Sequence, residues 1–156
     1  MTKIQTLVVS AALAIGMAGP AVAGVNDPEI IIYRFPGVFD DGSTTQVGTA
    51  TAFHCTNFSG VLENVRIVTR GSGGGLLKNF LFGLDHLSTQ GASTHSVFSY
   101  VSLNMGTGFI TDGTAAIAAT STNIICTAMV LDAANAKPAG LALRGIRFNP
   151  VPGSQE

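Results

Sequence analysis

The chain has 156 residues, a formal net charge of −1, 46% hydrophobic residues and only 11% charged ones. That apolar content excludes a disordered chain, and the length suits a single domain able to bury a core. So sparse and balanced a charge gives no electrostatic reason to bind nucleic acid or anionic lipid.

In chain order, the first element is a leader. Lys3 gives a short positive start, Leu7 to Met17 form an apolar run interrupted by Ser10 and Gly16, and Pro20 ends any helix. Ala21-Val22-Ala23 then offers small side chains at the two positions that signal peptidase reads, so residues 1–23 are expected to be a signal peptide cut between Ala23 and Gly24. The run is shorter than the roughly 20 apolar residues that span a bilayer. A lipoprotein would need its cysteine directly after the cut, where Gly24 stands. Residues 24–156 are therefore expected to be one secreted or periplasmic domain with no stable membrane span after cleavage.

Within that domain, Asp27 to Phe35 contains the strand-like run Ile30-Ile31-Ile32-Tyr33, closed by Pro36-Gly37, and Asp41-Gly42 reads as a turn. Gly48 to Phe58 reads as a threonine-rich strand carrying Cys55. Glu63 to Arg70 reads as another, with Val65 and Ile67 on one face and Arg66, Val68 and Arg70 on the other. Gly71 to Gly75 separates it from Leu77 to Leu87, where Phe80, Phe82 and Leu84 alternate with Asn79, Leu81 and Gly83, the strongest hairpin signal in the chain. Further strands are expected at Ser96 to Leu103, Thr114 to Ala119, Asn123 to Asp132 and Leu141 to Phe148. No helical period is sustained, and Asn135 and Pro138 oppose the one short helix candidate, Leu131 to Ala136.

About seven or eight short strands with regular turn signals predict an all-β fold, an antiparallel two-sheet sandwich of immunoglobulin-like kind. Two immunoglobulin marks are missing, since the chain has no tryptophan and Ile124, not tyrosine, stands two residues before Cys126. Only two cysteines occur, and in an oxidising compartment they predict a Cys55–Cys126 disulfide. Apolar residues at alternate positions, Phe53 beside Cys55 and Ile124, Ala128 and Val130 around Cys126, turn both inward. The offset that superposes the cysteines also lays Asp41-Gly42-Ser43 on Asp112-Gly113-Thr114, both Asp-Gly steps reading as turns. It leads to the expectation of two equivalent strands, one in each sheet, joined across the core.

His54, Cys55, His86, His95, Cys126, Met105 and Met129 are the residue types of a blue-copper site, but no histidine follows Cys126, where such sites need one. His86 and His95 flank what reads as one loop and leave room for weak adventitious metal binding. The Gly71 to Gly75 run lacks the lysine of a phosphate loop, and no nucleophile elbow or zinc-protease motif occurs. Asp85-His86 is a poor acid–base pair because neighbours on a strand face opposite ways. Asn57-Phe58-Ser59 matches a glycosylation sequon. No cofactor is expected.

The segments Ala52 to Phe58 and Ala116 to Ala128 resemble small exported bacterial β-sandwich proteins of unknown function. The resemblance implies a fold and a compartment and carries no activity. The expected function is non-enzymatic, a structural or binding role toward another exported protein or a cell-surface component. The contact would use an edge strand or the loops around Gly71 to Gly75 or Ser88 to Thr94, or would donate Glu29 to Phe35 to a neighbour's sheet. The alternative is a small-ligand or carbohydrate-binding domain using Tyr33, Phe35, Phe39 or Tyr100. The chain recovered from the exported fraction of expressing cells is expected to begin at Gly24, as read by N-terminal sequencing or intact mass; a chain that keeps Met1 would refute the leader.

Overall fold

The computed structural model describes residues 30–137 and 139–148. The leader and its cut between Ala23 and Gly24 lie outside the described residues. Among the described residues ten strands form: β1 (Ile30–Asp40), β2 (Thr49–Asn57), β3 (Glu63–Arg70), β4 (Leu76–Leu84), β5 (Thr89–Ser93), β6 (Leu103–Asn104), β7 (Ile110–Ala119), β8 (Ile124–Asp132), β9 (Gly140–Leu143) and β10 (Ile146–Arg147). They make two five-stranded sheets, β10-β1-β7-β3-β4 and β6-β5-β2-β8-β9. All named strand pairings are antiparallel except β5 with β6. The two sheets pack face to face as the β-sandwich that the strand spacing predicts. Because β1 lies against β2, β8 and β9, the opposite side of the sandwich is bounded by the edges β4 and β6.

Period-two alternation drives this arrangement. Ile32, Phe35, Val65, Ile67 and Ile117 of the first sheet meet Phe53, Cys55, Ile124 and Cys126 of the second in one buried cluster. Phe35 and Phe53 touch edge to face across the sheets, ring centres 5.9 Å apart. A smaller cluster, Ala50, Ala52, Val97, Leu131 and Ala133, covers the outer face of β2 and β8 beneath the segment that follows β5. Alanine on that face of β2 lets the covering chain come close.

Several elements depart from expectation for identifiable reasons. β1 runs past Pro36-Gly37 instead of stopping there, because β10 pairs with it only at Tyr33 and Arg34 and no ladder bond is asked of Pro36. Gly37 takes φ +78° beside a register shift against β7, a bulge in place of a turn. Asp112-Gly113 is likewise inside β7 and not a turn. A Cβ at Gly113 would press on the Arg70 and Val38 carbonyls, so glycine is what lets β1 and β3 close on both sides of β7. Ser96 to Leu103 is not a strand apart from its last residue, whereas Thr89–Ser93, read as loop, is β5. Leu141 to Phe148 divides at Arg144-Gly145 into β9 and β10, which join different sheets. A side chain at Gly145 would collide with the Phe35 ring, so the chain crosses between sheets there. Ile30–Asp40 pairs along its length with β7 of its own sheet.

The cysteines also correct an expectation. β2 and β8 are neighbours in one sheet, and Cys55 stands directly opposite Cys126 with Cα atoms 4.2 Å apart and Sγ atoms 2.12 Å apart. The link therefore staples adjacent strands and does not cross the core. Its ends are 71 residues apart in sequence, so on the chain-entropy account it stabilises the fold by about 4 kcal/mol. The Cys55→Ala/Cys126→Ala variant is expected to lose about 2 M from its urea midpoint, and an unchanged midpoint would show that the strand register alone holds the pair.

Candidate functional site

Buried polar groups in a small sandwich show where the chain is fixed by specific bonds, since each must find a partner. One group gathers where β1 ends. Asp40, fully buried, accepts a hydrogen bond from the Gly42 N–H at 2.8 Å and faces His95 Nδ1 at 2.8 Å. His95 Nε2 lies 3.1 Å from the Val47 carbonyl. Carboxylate and carbonyl oxygens only accept, so whichever ring nitrogen carries a proton donates to the oxygen it faces. Asp41 beside it accepts the Ser43 N–H at 3.0 Å and the Thr49 N–H at 2.8 Å. Those two backbone donors, Ser43 first, hold its carboxyl below the usual value of 3.8. Thr51 completes the corner by accepting the Phe39 N–H at 2.9 Å and donating to the Phe39 carbonyl at 2.8 Å.

The ligand atoms of Asp40, Asp41 and His95 lie within 4.8 Å of one another, close enough for a metal ion. Every one of these side chains already has partners inside the protein. Asp40 belongs to the first sheet and His95 follows β5 of the second, so the cluster is a stitch between sheets at this end of the sandwich.

The opposite end has a different chemistry. Asn57, the last residue of β2, is fully buried, and its Nδ2 donates to the carbonyls of Val61 and Leu84, each at 2.7 Å. Its Oδ1 accepts the Ser59 N–H at 2.8 Å. Its backbone N–H donates to the Ser88 carbonyl and its own carbonyl accepts the Leu87 N–H. A further bond runs from the Gly60 N–H to His86 Nδ1 at 3.0 Å. One buried asparagine thus locks the β2–β3 turn to the β4–β5 turn. It also closes the sequon, because both amide hydrogens are committed inside the fold.

What these locked turns present is apolar. Phe58, Val61, Leu62 and Leu87 are 50, 62, 63 and 67% exposed. The Leu62 side chain reaches over Gly83, 3.5 Å from where a Cβ would sit, and exposed Leu81 follows two residues away on the outer face of β4. Turns are ordinarily polar, so exposed apolar side chains on two turns tied together by a buried polar clamp set this end of the sandwich apart.

The residues singled out from sequence fall elsewhere. Cys55 and Cys126 are bonded to each other, so neither offers a thiolate. His86 and His95 sit at opposite ends of β5, which ends the reading of one loop between them. His54, on the outer face of β2, donates from Nε2 to the Tyr100 carbonyl at 3.2 Å and packs edge-on to its ring. Beside them lies a shallow cavity of about 440 Å³, where Tyr100 is the one aromatic among the lining residues. Tyr33 and Phe35 are core residues and Phe39 is half-buried. Gly71 to Gly75 forms a tight polar hairpin turn, and Ser88 to Thr94 is largely β5; neither carries the apolar surface. Sequence reasoning missed Phe58, Val61, Leu62 and Leu87, whose only signal is large apolar side chains inside turn segments.

The Asp41 carboxyl is depressed in the fold and returns to about 3.8 on unfolding, so its contribution is full above that pH and fades as pH falls through the folded value. The Asp41→Asn variant is expected to be less stable than the parent at about pH 6 and to converge on it by about pH 2, as read by urea midpoints; a gap that does not change with pH would refute this. Comparison with known proteins finds no matching family model, no matching curated protein and no matching solved structure.

Proposed function

We propose that the chain is an exported, secreted or periplasmic, non-enzymatic module of immunoglobulin-like kind that docks another exported protein or a cell-surface component through its apolar end. The observation that carries this reading is the patch of Phe58, Val61, Leu62 and Leu87 on two turns fixed by Asn57. Burying each such side chain gains roughly 1.5–3 kcal/mol, and a surface already rigid in the free protein gives up little of that gain to ordering. Interface cores are depleted in charge, and no charged side chain lies among these four. The shallow cavity by His54 supports a ligand-binding role less well, since Tyr100 is its one Phe, Tyr or Trp ring and is already packed against His54.

A photoreactive residue in place of Leu62 or Leu87 is expected to give a discrete cross-linked product in the exported fraction of the native host. The same residue at exposed Asn135, at the other end of the sandwich, should give none. Equal labelling from both positions, or none from Leu62 and Leu87, would end the docking proposal.

A further inference from the structure

The geometry points to a second copy of this chain as the partner, joined antiparallel along β4; the inference rests on the docking reading above and names its occupant. Among the described residues β4 pairs with β3 alone, so one whole side of a nine-residue strand keeps its backbone donors and acceptors free for another strand. The edge beyond it in the other sheet, β6, is only two residues long, so β4 stands clear of its own sandwich.

The strand is also complementary to itself. Lys78, Phe80, Phe82 and Leu84 face the core side, opposite Thr69, Ile67, Val65 and Glu63 of β3, while Leu77, Asn79, Leu81 and Gly83 face outward. A two-fold axis perpendicular to the sheet keeps like faces together only when it passes through a residue, and passing through Phe80 overlaps the full strand. Phe80 then meets Phe80 of the second copy. Lys78 meets Phe82, so the single charge on the strand faces an aromatic ring and no like charge opposes it. On the outer face Leu77 meets Gly83, the one residue without a side chain, and comes down beside Leu62. The apolar end and the bare edge thereby become one continuous surface, used twice. Phe80 and Phe82, only partly buried in the single chain, gain cover from the same pairing.

Asn79→Cys and Leu81→Cys both lie on the exposed outer face, and Cys55 and Cys126, bonded to each other, leave no competing thiol. In the proposed register residue 79 faces residue 81 of the other copy with Cα atoms about 5 Å apart, while 79 meets 79 only on a diagonal of about 7–8 Å. Mixed and mildly oxidised, the two variants are expected to give a cross-linked product of twice the chain mass, with little from either alone. Sedimentation equilibrium of the unaltered chain should show a dimer that Leu77→Lys dissociates without lowering the melting temperature of the monomer. A chain that sediments as a monomer at every concentration overturns the proposal, as does a dimer whose 79–81 bridge forms no better in the mixture. If the Leu62 probe then still captures a different exported protein, docking stands with a foreign partner; if it captures nothing, both readings fall.

Discussion

The inward row of β2 holds the sandwich together. Thr51, Phe53, Cys55 and Asn57 alternate onto one face, and each is bound to a different part of the molecule. Thr51 exchanges two hydrogen bonds with the Phe39 backbone in the other sheet, and Phe53 meets Phe35 across the core. Cys55 is tied to β8, and Asn57 fixes the two turns that carry the apolar end. The pleat sets these four at every second residue. A one-residue slip of β2 would turn all four outward and break every one of those links at once, so its register is specified several times over.

How much of this could be read beforehand follows from what alternation encodes. It tells which face a side chain occupies, and on that count Val65, Ile67, Phe53 and both cysteines are where the pattern puts them. It does not tell which strand lies alongside. The cysteines were therefore expected to span two sheets when β2 and β8 are neighbours in one. β5 escaped notice because Thr89-Gln90-Gly91-Ala92-Ser93 has no branched or aromatic apolar residue; it is a strand because β2 pairs with it. Asp112-Gly113 misled in the other direction. Its local preference for a turn gives way to the backbones pressing on it from β1 and β3. The apolar end was obscured for a related reason, since Leu62 and Leu87 lie on two turns that Asn57 ties together, and 27 residues separate Asn57 from Leu84.

The two ends of the sandwich solve opposite problems with similar means. At the Asp40 end, charge is taken out of water and must be matched, and the His95 ring and a set of backbone N–H groups match it. At the Asn57 end a neutral amide does the fixing, and apolar surface is left facing outward. Removing His95 would strand a buried carboxylate, a cost of the order of 3–5 kcal/mol. Removing Leu62 strands nothing. Exposed together and apolar, such residues add little to folding stability, which is why the proposed contact is placed on them.

β4 brings that argument to its sharpest point. An edge strand nine residues long, with a single charge, invites uncontrolled pairing, and solitary sandwiches blunt such edges with charge, proline or a covering loop. Here Lys78 is the only such device, and it sits two residues from the strand's centre at Phe80. In an aligned antiparallel self-pair that position places it against Phe82; in a pair displaced by two residues toward Asn79 it would meet Phe80, and in the parallel in-register stack of an aggregate it would meet another Lys78. The same lysine thus tolerates the two-fold contact and opposes open-ended stacking through like-charge contact. In that proposed pair Gly83 would stand opposite Leu77, with Leu62 of its own chain already 3.5 Å from where its Cβ would sit. In the proposed contact these features accept a closed two-fold pairing, while the like-charge contact of Lys78 weighs against the unlimited one.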